Sequence, residues 1–189
     1  MNIKALIASL VLSATAIPAV AAPTYEDKAT IDEHIELLNT LDDMGITVSI
    51  NGPECGRTND DVAGYWNGSR RLFVLCQEVM RNSKLPTWDG TVVLASDDDL
   101  DTIRHETHHI IQDCQDGRID GNLRVYLSPK NSVEFLNLYP DWKEEYITKQ
   151  YRASGANDHV IRLEIEAWAV ADMVQAPLIR ETLQRECKA

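Results

Sequence analysis

Three of the chain's five histidines fall within five residues, inside the stretch Thr102 to Cys114, TIRHETHHIIQDC. On a helix, His105 and His109 stand four positions apart and project from one face, within reach of a single metal ion. Glu106 lies beside them. This is H-E-x-x-H, a spacing in which two histidines bind zinc and the glutamate serves as general base toward a zinc-activated water. Five residues alone recur by chance, so the surroundings must carry the argument. At about 100° per residue, Leu100, Ile103, Thr107, Ile110, Ile111 and Cys114 gather on one side of the helix. Measured from Ile103, His105 lies near about 200° and His109 near about 240°, opposite that stripe. A metal-lined cleft facing away from the core accounts for two histidines there, whereas a solvated face would ordinarily carry Asp, Glu or Lys. His108, at about 140°, lies off the other two and reads as a residue behind the ligands or at the surface.

A catalytic zinc commonly has three protein ligands and one open position. The richest source for the third is DHVIRLEIEAWAVADMVQ, residues 158–175, apolar nearly all the way round and therefore a buried helix. Glu164 and Glu166 sit inside it, and a buried carboxylate needs a partner. Zinc is one partner; an ion pair between Glu166 and Arg162, four residues earlier, is the plainer one. Glu166 is the first choice as ligand and Glu164 the second, with Glu134 a weaker rival. Tyr126, Tyr139, Tyr146, Tyr151 and His159 are all candidates for stabilising a developing oxyanion, and spacing does not choose among them.

HETHH followed 57 residues later by the glutamate of EIEAWAVAD resembles the gluzincin branch of the zincin metallopeptidases, in its small single-domain form. The resemblance implies a compact α+β domain with a small, mostly antiparallel sheet, an H-E-x-x-H helix and a later helix bearing the ligand glutamate. It implies His105, His109 and Glu166 as zinc ligands, Glu106 as base, and a peptide or protein substrate. Many gluzincins carry an Asp four residues after the ligand Glu; here that position is Val170.

These residues need elements to hold them. Residues 25–44 place Ile31, Ile35, Leu38 and Leu41 at helical spacing, and Gly45 ends the helix. ITVSI, residues 46–50, alternates as a strand. In AGYWNGSRRLFVLC, Asn67-Gly68 between aromatic and apolar runs signals a hairpin. Asn67-Gly68-Ser69 also fits a glycosylation acceptor, although the turn accounts for the same residues. Residues 90–95, GTVVLA, read as a further strand, and as an edge on which an extended peptide could align. Ser96-Asp97-Asp98-Asp99 is a capped, acidic start for the HETHH helix, which should run from about Asp97 to Cys114. A short strand at LRVYL, a helix over 142–151 and a helical tail to Cys187 complete an α+β reading.

Residues 1–21 carry Lys4, a short apolar run and an Ala-Val-Ala ending, the pattern of a signal peptide. Residues 22–189 then read as one exported, secreted or periplasmic domain, with no membrane association once the signal is removed. Loss of Lys4 takes the net charge from −12 to −13, which argues against nucleic acid because phosphates are repelled. Four cysteines remain in an oxidising compartment, and Cys55–Cys76 with Cys114–Cys187 are the expected bridges. A four-thiolate zinc site would need a close C-x-x-C pair, which is missing. Two functions fit: an exported zinc peptidase, or a non-catalytic secreted binding domain that keeps a zincin fold.

Overall fold

The computed structural model describes residues 25–55, 62–77, 96–115, 117–127 and 136–187. The expected strand at 90–95, Glu134 and the signal segment lie outside them. Helix α1, Tyr25–Asp43, turns Leu37, Leu38 and Leu41 inward. It ends where Gly45 takes φ +71°, a left-handed conformation that a side chain would strain. Strand β1, Thr47–Ile50, follows at once.

The aromatic run becomes β2, Gly64–Asn67, and the apolar run becomes β3, Leu72–Leu75. A short 3-10 turn, Gly68–Arg70, joins them in place of a two-residue loop. Asn67 explains the longer connection: its side-chain oxygen accepts from the Arg70 N–H at 3.1 Å and from the Ser69 hydroxyl at 2.9 Å. Those bonds use the side-chain oxygen of the asparagine that the glycosylation pattern singles out. The sheet order is β1-β3-β2, and β1 runs parallel to β3, with Thr47 opposite Leu72 and Ile50 opposite Leu75. The sheet is therefore mixed, where a mostly antiparallel one was expected. The tight connection keeps β2 beside β3, and β1 joins on the other side of β3.

Helix α2, Asp97–Cys114, begins as its sequence demands. The Asp99 N–H donates to Ser96 Oγ, while the Ser96 N–H donates to Asp99 Oδ2 at 3.0 Å, a reciprocal cap. Gln77 extends it, donating to Asp99 Oδ2 and accepting from Asn51 in a wholly buried chain of bonds. Three further helices follow: α3, Asp141–Ala153; α4, Asp158–Met173; and α5, Ala176–Glu186. LRVYL belongs to no strand. The fold is α+β, with five helices and a three-stranded sheet among the described residues.

The chain forms two compact units. The first holds α1, β1, β3 and the start of α2 up to Ile103, and contains the Cys55–Cys76 bridge packed on Leu72 and Val74. The second holds Trp66–Arg70 and the chain from Arg104 onward. There α3 packs against α4 through Ile147, Ile161, Ile165 and Ala169, and the Cys114–Cys187 bridge ties the end of α2 to the end of α5. Both disulfides pair as expected. No helix among the described residues is long and apolar enough to cross a membrane.

Within the second unit, Asp113 is fully buried and accepts the backbone N–H groups of Asp120, Gly121 and Asn122 on one oxygen and the Trp66 indole on the other. Gly68 closes over this point so tightly that a Cβ there would stand 2.5 Å from Gly121 Cα and against the Asp113 carboxylate. Gly68→Ala should cost roughly 1–3 kcal/mol by overpacking. The thermal midpoint should fall by about 3–10 °C for a domain of this size. An unchanged melt by circular dichroism would show that the approach is looser than described.

Candidate metal centre

The middle of α2 is buried all round. From Thr102 to Cys114 only Arg104 retains appreciable exposure, and its guanidinium Nε donates to the Ala171 carbonyl. The histidine face, expected to line a cleft, is covered: His105 is 4 % exposed, His109 6 % and His108 2 %. The cover is α4 together with residues 123–127. Sequence periodicity sees only the helix's own apolar stripe, and it has no access to a second helix that brings carboxylates to the polar stripe.

Two carboxylates of α4 meet two adjacent stripes of α2. Glu164 reaches His105 and His109: its oxygens lie 3.2 Å from His105 Nε2 and 3.5 Å from His109 Nε2. The two Nε2 atoms are themselves 3.1 Å apart. Ligand atoms of His105, His109 and Glu164 all lie within 4.8 Å of one another. Glu166, the first choice of third ligand, lies outside this group, and Glu164, the second choice, lies within it. Glu166 Oε1 accepts from His108 Nε2 at 2.7 Å, Gln112 Nε2 at 3.0 Å and the Tyr126 N–H at 2.9 Å; its Oε2 accepts from the Leu127 N–H at 3.0 Å. Four donors thus engage this carboxylate, three of them on one oxygen. The plainer partner, Arg162, is exposed and plays no part.

This arrangement extends through most of a recognisable sequence unit: residues 24–188 match the model of a domain of unknown function, DUF8637. The chain belongs to the DUF8637 family. No curated protein and no solved structure matches it.

Within the DUF8637 domain, Glu106 is 8 % exposed and stands outside the three-residue group, yet its charge acts on both His109 and Tyr151. Trp168, one turn beyond Glu164 on α4, packs its ring 4.5 Å from that of His105. Of the five oxyanion candidates, Tyr151 comes to the group; burial and then Glu164 push its hydroxyl pKa far up, so it keeps its proton. Tyr139 bonds to Asp172, Tyr126 to Glu186, and His159 faces the Leu123 carbonyl, while Tyr146 is exposed. Gln112 and Trp168 were not legible as site residues, and Tyr151 only as one of five candidates. The available signals were weak: Gln112 is three residues from His109, and Trp168 is four from Glu164.

The donor set fits a divalent cation. Two imidazole nitrogens and a carboxylate oxygen converge, and Glu164 Oε2 is buried without an aligned hydrogen-bond partner among the described residues. Nitrogen and oxygen donors of this kind suit zinc.

Electrostatics without metal follow from the same contacts. Burial opposes charge on His109, but Glu164, Glu106 and Gln112 outweigh it and raise its pKa to about 9. Burial also opposes charge on Glu164, and His105 and His109 hold its carboxyl far below the usual range. His108 moves the other way: burial lowers its pKa despite the bond to Glu166. The signs give a pH profile. The His109 contribution is complete below 6.5 and is lost as pH rises through about 9. The folded state disfavours protonating His108, so stability falls as pH drops below 6.5. Protonation of Glu164 adds to that loss below 4.5. Chelator-treated protein should therefore melt highest near neutral pH and lower on both sides. His109→Asn should flatten the alkaline arm and also shrink the acid loss assigned to Glu164, whose carboxyl it helps hold down. Thermal midpoints from pH 4 to 10 test this, and an alkaline arm that persists in the variant contradicts the assignment.

Proposed function

We propose that this protein is an exported zinc-dependent metallopeptidase of gluzincin type, with His105, His109 and Glu164 holding the metal and Glu106 acting as general base. The observation that carries the reading is the convergence of both H-E-x-x-H histidines and a carboxylate from a later helix, with the pattern's own glutamate next to them but outside the donor group. The likeness in HETHH and in a downstream Glu-bearing helix supports it, with Glu164 in place of Glu166. Two disulfides agree with an oxidising, extracytoplasmic setting, and the sequence of residues 1–21 agrees with export.

Zinc bound by these donors supplies Lewis acidity, polarising a peptide carbonyl and making a nearby water acidic enough to lose a proton at neutral pH. The chain's own groups do the rest. Glu106 takes the proton as the water oxygen bonds to the carbonyl carbon, then delivers it to the amine nitrogen as the C–N bond breaks. Tyr151 retains its proton and is placed to donate a hydrogen bond at the edge of the group. Trp168 restricts His105 from one side.

The burial of His105, His109 and Glu106 favours one rival, a non-catalytic binding domain in which the same group serves structure. Glu106→Gln separates the two, because it preserves size and removes the base. Zinc content by elemental analysis should stay near one per chain, the thermal midpoint should hold, and hydrolysis of a mixed peptide library should fall by about 100-fold or more. Full activity in Glu106→Gln would end the mechanism. A wild-type protein that holds zinc but cleaves nothing across the library would support the binding domain.

A further inference from the structure

Gln112 has no place in the H-E-x-x-H pattern, yet it is 0 % exposed and touches the metal group directly. Its side-chain amide is oriented by two acceptors. Nε2 donates to the Leu163 carbonyl at 3.1 Å and to Glu166 Oε1 at 3.0 Å. Turning the amide over would set its oxygen against a carbonyl and a carboxylate. Gln112 Oε1 therefore faces His109 Nδ1, 2.7 Å away, and only a protonated Nδ1 can satisfy it. With the proton on Nδ1, the Nε2 lone pair of His109 is available toward His105 and Glu164. Glu166 is itself immobilised by His108 and by the N–H groups of Tyr126 and Leu127, so the orientation of Gln112 rests on a fixed anchor.

We propose that Gln112 and Glu166 are positioning residues that hold His109 in its metal-binding form, Glu166 aligning the Gln112 amide and Gln112 fixing the ring and tautomer of His109. The inference rests on the metal reading of His105, His109 and Glu164, and it adds what orients them. It also assigns α4 two distinct carboxylates: Glu164 as donor, and Glu166 as the group behind it. The device acts on one ligand only. His105 Nδ1 is buried with no partner among the described residues. Outer partners of ligating histidines are commonly worth about 10–100-fold in metal affinity.

The test uses the full mature protein with zinc(II) or cobalt(II) alone. Gln112→Met keeps length and volume but offers His109 no acceptor. Its zinc affinity, from competition with a chromophoric chelator, should be weaker by about 10–100-fold. In the cobalt protein, the proton NMR spectrum should lose the slowly exchanging, shifted Nδ1–H resonance of His109. Gln112→Glu retains an acceptor for that proton while setting two carboxylates together, so it should keep the resonance even as the thermal midpoint drops. Glu166→Gln should weaken zinc with the visible cobalt spectrum unchanged, whereas Glu164→Gln should alter the spectrum itself. If Gln112→Met binds zinc within about threefold of wild type and keeps the resonance, the positioning role is overturned while the metal site stands. A changed cobalt spectrum in Glu166→Gln also overturns it, by making Glu166 a ligand. If wild type binds neither ion, the inference falls together with the metal reading.

Discussion

Glu166 is a carboxylate with 1 % of its surface exposed, and the unit around it is organised by the need to supply that charge with donors. A buried charge without partners costs several kcal/mol, so the structure closes only when all of them arrive. They come from three places: His108 and Gln112 on α2, and two consecutive backbone N–H groups at Tyr126 and Leu127. One residue thereby fixes the spacing of α2 to α4 and the path of residues 123–127. Its reach into the HETHH residues runs through His108 and Gln112, whose orientation it sets.

The same demand explains why LRVYL is not a strand. A strand forms when a segment's N–H groups find carbonyls in a neighbouring strand. Here the alternating apolar pattern is present, but two of the N–H groups are taken by a side-chain carboxylate. Local sequence pattern describes what a segment could do, and a long-range acceptor decided what it does. In the three-stranded sheet the tight connection beside Asn67 settles β2 and β3, and β1 adds parallel to β3.

Much of the site was legible where chemistry is local. The α2 start was readable because Ser96 and Asp99 cap each other within one turn, and the two histidines because i and i+4 share a helical face. The bridges were readable from the oxidising context and the positions of four cysteines. Choosing between Glu164 and Glu166 was a different problem. Both are acidic residues in an apolar helix, and the sequence shows only that each must find a partner. Which partner depends on how α4 lies across α2. Glu164 meets positions 105 and 109, and Glu166 meets 108 and 112, one stripe over. The helical wheel of α2 had the right angles and the wrong environment, because nothing in residues 97–114 announces the helix that covers them.

The Cys114–Cys187 bridge has a consequence for the order of biogenesis. A chain synthesised from its N-terminus presents Cys55 and Cys76 first, 21 residues apart and able to pair in place. Cys114 emerges next and must wait for another 73 residues before its partner appears. Throughout that interval it is a reactive thiol just 38 residues beyond Cys76, the nearer and wrong mate. Early closure of the first bridge protects against that exchange by leaving Cys114 no free thiol upstream. The fidelity of the crosslink beside the HETHH helix thus depends on the Cys55–Cys76 bridge, through the order in which the cysteines appear.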